Sequence, residues 1–362
     1  MTAELGCEDN EEKIDHDRIE TDSDFLNTDS NGRTFFRSLL PYVRDPIVAQ
    51  FREQFGCEVT TCSIPSFYTY NTAHCRPIDV IRSTFGKKVQ FIDISSGYCV
   101  ESLGIHPSQR VLELCCAPGN KMVIVAEKLN YNGTIVRVDI SPHRLRVCIK
   151  ILHKHLVIPF VDHFHSTGEE IFRNLNIHIY LADAKEFPAK STLVFDLQLA
   201  VTTEISLSLR NQKKLNKSLR HRQKHALSLL CNTINLSVSS FDRVLVDVEC
   251  SIDSSHHRHR THASTLGPWD NSLDQLQQLQ VSILSVGLSF LALDGLLLYC
   301  TCSDDVRQNE DVIEMVLDQA DVVVVDLNVG DDVQVRSGVR NYCRFVGHDG
   351  IGLNMCLLWK RV

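Results

Sequence analysis

From Arg110 onward, short apolar runs that end in turn or acidic residues recur along the chain: RVLELCCAPG (110–119), GTIVRVDISP (133–142), IHIYLADA (177–184), DRVLVDVECS (242–251) and GLLLYCTCS (295–303). Between most of them lie stretches with helical spacing, such as KMVIVAEKL, HRLRVCIKILHKH and SLDQLQQLQVSILSVGLSFLAL. Buried parallel strands read as nearly continuous apolar runs, and their alternation with helices predicts an α/β, doubly wound, mostly parallel sheet. In such sheets ligands sit beyond the carboxyl ends of the strands, so those ends hold the candidate site.

Upstream the rhythm differs. Between Thr34 and Gly56, apolar residues at Phe36, Leu39, Leu40, Val43, Ile47, Val48, Phe51 and Phe55 fall near helical spacing, with Pro41 and Pro46 as breakers. SFYTYNT (66–72) then predicts a strand and RPIDVIRSTFG (76–86) a helix. The expected organisation is an acidic tail at 1–33, a small N-terminal α/β module at 34–100 and the sheet domain at 101–362.

Charge sharpens this division. The net charge is −8, yet residues 1–30 alone carry eleven acids against Lys13 and Arg18, so the remainder is nearly neutral. Such a tail has the composition of a solvated segment. Residues 205–241 contain no acid, while seven Lys and Arg fall within 210–224, which predicts a basic insertion between the third and fourth of these strands. It reads as a solvated helix face, a nuclear-import patch or a phosphate-contacting arm, and the lack of acids favours the last.

Mean hydropathy is −0.08, and the longest apolar run, Val281 to Leu293, is shorter than the roughly 20 residues a bilayer helix needs. The first residues lack the basic start and apolar core of a secretory leader, so an intracellular, reducing location is expected, with no choice between cytoplasm and nucleus. The 14 cysteines are then free thiols, and no CxxC pair points to zinc. The histidines at 256, 257, 259 and 262 lack companion ligands at metal spacing and read as a loop. No metal site is expected.

Candidate chemistry gathers at the strand ends. The turn Cys115-Cys116-Ala117-Pro118-Gly119-Asn120-Lys121 places small residues before a helix, which suits a nucleotide-like ligand or an ordinary strand–helix turn. Asp139, about twenty residues on, could accept from ribose hydroxyls, and Asp183 could meet an adenine amino group; each alone also reads as a strand-end cap. The fourth run brings Asp247 and Cys250, and the fifth brings Thr301, Cys302 and Ser303. Strand alternation would put Cys300 and Cys302 on one face, leaving their roles open on geometry alone.

The block from Arg110 to Val316 resembles the Sun/RsmB-type (NOP2/Sun) RNA cytosine-5 methyltransferase family. Its cofactor loop C-A-A-P-G-G-K is matched by residues 115–121, its T-C-S motif by Thr301-Cys302-Ser303 before Asn309-Glu310-Asp311-Val312, and its D-x-P-C-S motif by Asp247-Val248-Glu249-Cys250-Ser251. The resemblance extends over roughly residues 36–362 and implies a seven-stranded Rossmann-like methyltransferase sheet. It implies methylation of carbon 5 of cytosine in RNA (tRNA or rRNA) from S-adenosyl-L-methionine. Cys302 would be the nucleophile, Cys250 would release product, Asp247 would bind the base, and Lys121 would lie near the thiol. Cofactor contacts would come from residues 115–121, Asp139, Asp183 and Asp247. Two departures stand out: Glu249 in place of proline and Asn120 in place of the second glycine. Glu249 supports the competing reading of an RNA-binding pseudoenzyme that keeps the fold. A small-molecule methyltransferase, a third reading, gives no reason for paired cysteines.

Overall fold

The computed structural model describes residues 33–38, 44–56, 58–71, 85, 88–168, 172–208, 240–251, 273–331, 333–338, 342–348 and 351–361. The acidic tail, nearly all of the helix read at 76–86, the stretch 209–239 and the histidine loop lie outside these residues.

The N-terminal module contains β1 (Arg33–Ser38), α1 (Arg44–Phe55), β2 (Val59–Thr61), β3 (Phe67–Asn71) and β4 (Val89–Phe91). Its sheet is antiparallel in the order β2-β3-β1-β4. The helical spacing read from Thr34 is corrected here, since the chain is a strand to Ser38 and helical only from Arg44. β1 is an inner strand covered on both faces: Phe35 enters the main core, while Phe36 stacks on Phe51 with centroids 4.6 Å apart. Its sequence, Arg-Thr-Phe-Phe-Arg-Ser, sets two apolar residues side by side between polar ones, so it lacks the alternation that would identify a strand.

The larger body begins with α2 (Ile94–Ser102), whose N-cap Asp93 accepts from the Ser95 N–H. There follow β5 (Arg110–Leu114), α3 (Asn120–Lys128), β6 (Gly133–Asp139), α4 (Pro142–Leu152), α5 (Ile158–Thr167), β7 (Leu175–Leu181), β8 (Thr192–Asp196) and α6 (Leu197–Ser208). The chain continues through β9 (Phe241–Asp247), α7 (Leu273–Phe290), β10 (Leu291–Thr301), α8 (Glu310–Leu317), β11 (Val322–Val325), β12 (Gln334–Ser337), β13 (Arg344–His348) and β14 (Ile351–Lys360).

Among the described residues the sheet has ten strands, in the order β12-β13-β14-β10-β9-β5-β6-β7-β8 with β11 also on β14. The five from β10 to β7 are mutually parallel, and β8 and β14 flank them antiparallel. The seven-stranded, doubly wound expectation is therefore corrected to a mixed sheet flanked by helices. The missed strands, such as β8 and β11, are four or five residues long and lie outside the strand–helix rhythm. The basic insertion is also narrower than 205–241, because α6 runs to Ser208 and β9 starts at Phe241.

Side-chain alternation divides the core into two layers. In β9, Val244 and Val246 pack with Ile283 and Leu284 of α7, whereas Leu245 joins the layer holding Tyr98 of α2 and Met122 of α3. Both faces are thus dry, and all five parallel strands deliver their carboxyl ends to one rim.

Candidate active site

The turn after β5 is built from below. Arg137, in the middle of β6, is fully buried. Its Nε donates to Glu113 Oε2 over 2.7 Å, its Nη2 to the Cys116 carbonyl over 2.6 Å, and its Nη1 to Cys148 Sγ over 2.9 Å. A buried guanidinium is tolerable only when its donors are satisfied in this way. Gly119 has φ 105°, and a Cβ there would stand 2.7 Å from Cys148 Sγ. Both the left-handed backbone and the close floor therefore require glycine. Asn120 follows as the first residue of α3, outside the positive-φ residues. The family's second glycine is thus not needed here for backbone freedom.

From above, Asp139 secures the same turn. Its Oδ2 accepts from the Ala117 N–H (3.0 Å) and its Oδ1 from the Ser141 N–H (2.9 Å), while Arg144 Nη2 donates to the Ala117 carbonyl (2.6 Å). Cys116 and Ala117 are buried and Pro118 is half-buried. The Cys115 thiol is pushed up to about 12, by burial first and then by the Asp139 and Asp247 carboxylates, so it is protonated at neutral pH. Asp183, past the end of β7, accepts from the Lys185 N–H (2.9 Å) and remains part-exposed. The N-cap of α3 is Gly119, which has no side chain to cap the helix. The first-turn N–H groups therefore face the rim as a cradle for an anionic group.

Two thiols meet beside this turn. Cys250 follows β9, Cys302 follows β10, and their sulfurs stand 2.9 Å apart. The Cys302 N–H also donates to Cys250 Sγ over 3.2 Å. Asp247, on the same rim, is 2.5 Å from Lys121 Nζ and accepts from Cys300 Sγ at 3.4 Å. Burial depresses Lys121, but the Asp247 carboxylate, joined by Cys99 and Cys300, outweighs it and raises the ammonium's pKa. Lys121 is therefore a fixed cation bonded to Asp247.

Burial separates the two β10 cysteines. Cys300 is fully buried, 3.8 Å from Cys99 Sγ, and its thiol is raised by that contact, by burial and by Asp247. Cys302 lies one residue beyond the strand's end and is half-buried at the rim. Strand alternation no longer applies there.

The pattern alone did not single out the residues that hold the two cysteine loops. Gln280 of α7, fully buried, donates to the Glu249 carbonyl over 2.8 Å. Gln308 accepts from the Ser251 N–H (3.0 Å) and donates to Ser251 Oγ (2.7 Å). Asn309 donates to the Ser303 and Asp305 carbonyls, and Asn354 also reaches the Ser303 carbonyl. The available signal was a glutamine on the apolar stripe of α7, between Leu276 and Leu284, and an arginine inside the run GTIVRVD. The Glu249 carbonyl is turned toward α7, while its own side chain is exposed.

A family model described as 16S rRNA methyltransferase RsmB/F matches residues 197–352, a span that includes both cysteine loops. A probable ribosomal RNA small subunit methyltransferase B of Coxiella burnetii is 29% identical over 163 residues, covering 42% of this chain and 37% of that protein. A multisite-specific tRNA:(cytosine-C(5))-methyltransferase, trm4b of Schizosaccharomyces pombe, is 40% identical over 81 residues, covering 22% and 11%. The matches thus span little more than a third of these relatives at most. The crystal structure of NSun6 from Pyrococcus horikoshii with SFG shares the fold, with a TM-score of 0.61 over 92% of each chain at 10% identity. Over these matched segments the chain is similar in sequence to RsmB-type rRNA methyltransferases and to a tRNA cytosine-C(5)-methyltransferase.

Proposed function

We propose that the protein methylates carbon 5 of cytosine in RNA, tRNA or rRNA, with S-adenosyl-L-methionine as donor. The observation that carries this reading is the 2.9 Å approach of Cys250 and Cys302 from adjacent parallel strands, beside the Asp247–Lys121 pair. Paired thiols on that rim have a use in this reaction, which N- and O-methylation do not require.

Carbon 5 of cytosine is a poor nucleophile. Attack of the Cys302 thiolate on carbon 6 forms a C–S bond and moves electron density to carbon 5. S-adenosylmethionine, held by the 115–121 turn, would supply an electrophilic methyl group for carbon 5. Loss of the carbon 5 proton to a base and cleavage of the C–S bond then return the thiolate. Cys250, the neighbouring sulfur, assists that release. Asp247, held in place by Lys121, accepts a hydrogen bond from the protonated ring nitrogen or the exocyclic amine of the cytosine and stabilises charge as it develops.

The residues at the turn fit the cofactor. Gly119 leaves its backbone open and the N-terminus of α3 suits a carboxylate, while the roles of Asp139 toward ribose and Asp183 toward adenine rest on the family resemblance and their strand-end positions. The basic stretch 210–224 is proposed on charge alone as a contact to the RNA backbone. Transfer of a labelled methyl group from S-adenosylmethionine to mixed RNA, followed by nucleoside analysis, tests the reading. The expected product is 5-methylcytidine, absent with Cys302→Ala. Binding of RNA without any methylated cytosine would favour the pseudoenzyme instead.

A further inference from the structure

The N-terminal module is joined to α3, the helix that the cofactor turn opens into, by two buried polar side chains. Arg37 of β1 is 1% exposed and Gln90 of β4 is 3% exposed. Arg37 Nη2 is ion-paired with Glu127 near the end of α3, and Arg37 Nη1 donates to Gln90 Oε1 over 3.2 Å. Gln90 Nε2 donates to the Asn120 carbonyl over 3.0 Å and lies 3.5 Å from Asn120 Oδ1, at the start of the same helix. Two strands of the module thus hold both ends of α3.

The chemistry fixes the direction of this chain. A guanidinium only donates, so Gln90 must present its carbonyl oxygen to Arg37, and its NH₂ is left aimed at Asn120. A carboxylate at position 90 would keep the first contact and replace the second with two acceptors face to face. Asn120, the departure from the family's glycine, stands directly under the module. Its carbonyl is one residue past Gly119, so a shift of α3 along its axis moves the turn with it.

We propose that Gln90 and Arg37 are positioning residues for the cofactor turn, which makes S-adenosylmethionine affinity depend on the N-terminal module. This rests on the reading of residues 115–121 as the cofactor seat. The test is calorimetric titration of the full chain with S-adenosylmethionine, with steady-state KM and kcat, for the wild type, Gln90→Glu and Glu127→Gln. Gln90→Glu is expected to fold, because the Arg37 contact survives, but to melt a few degrees below the wild type, because its buried carboxylate faces the Asn120 carbonyl. It should raise Kd and KM for the cofactor roughly two- to tenfold, the range one net hydrogen bond supplies, with kcat at saturation and KM for RNA unchanged. Glu127→Gln, at the far end of the helix, should move the same constants in the same direction and serves if Gln90→Glu does not fold. A wild-type protein that does not bind the cofactor would overturn the cofactor seat itself. A wild type that binds, with both variants binding equally well, would overturn the clamp alone.

Discussion

The Cys302 N–H points at the sulfur of Cys250, 3.2 Å away, and the two sulfurs stand 2.9 Å apart. In the proposed reaction Cys302 bonds the base and Cys250, in contact with it, assists its departure. Cys250→Ala is therefore expected to accumulate a protein–RNA complex that survives denaturing electrophoresis. Cys302→Ala should form none, and neither should the double variant. A complex formed equally by both single variants would refute the assignment of roles.

Gln280 reaches the Cys250 loop through the Glu249 carbonyl. Gln280→Leu keeps the volume roughly constant but removes that carbonyl's buried donor, at a cost of about 1–3 kcal/mol. Denaturant unfolding should show this loss. Turnover should fall at least tenfold with cofactor affinity unchanged, because the change displaces the thiol and leaves the turn alone. Unaltered kcat in a stably folded variant would show that the loop holds Cys250 without Gln280.

Arg137 and Glu113 form a pair with side chains 0% and 4% exposed. Removing either partner leaves a buried charge uncompensated. Arg137→Met or Glu113→Leu alone should therefore lose about 3–5 kcal/mol of stability. The double replacement should lose less than either single one. Additive losses in a double-mutant cycle would contradict a direct pair.

The Cys115 thiol titrates at about 12 in the folded protein against an ordinary value of 9.0. Between those values the unfolded chain releases a proton that the folded chain keeps. The unfolded state then binds fewer protons, and stability falls as pH rises. Unfolding free energy measured from pH 8 to pH 11 should decline less steeply in Cys115→Ala than in the wild type. Parallel curves would place the thiol in a more polar setting.

Several elements were legible because both faces of the sheet are covered. Continuous apolar runs gave β5, β6, β7, β9 and β10, and their carboxyl ends gave the rim. In β1 the adjacent Phe35 and Phe36 enter cores on opposite faces and break the alternation that would mark a strand, and short β8 and β11 had too few residues to register. The helix read at 76–86 and the basic and histidine-rich stretches fall largely outside the described residues.

The order of residues by itself determined the α/β rhythm, the glycine at the turn and the thiols and carboxylates at the strand ends, because these depend on local spacing and residue chemistry. Only the tertiary structure decided that the Cys302 sulfur stands against Cys250 while Cys300 is buried against Cys99. It also decided that Lys121 serves Asp247, and that Gln280, Arg137 and Gln90 hold the loops from beneath. Those contacts join positions as distant as residues 121 and 247. Long-range packing sets their distances and burial, and no local pattern encodes them.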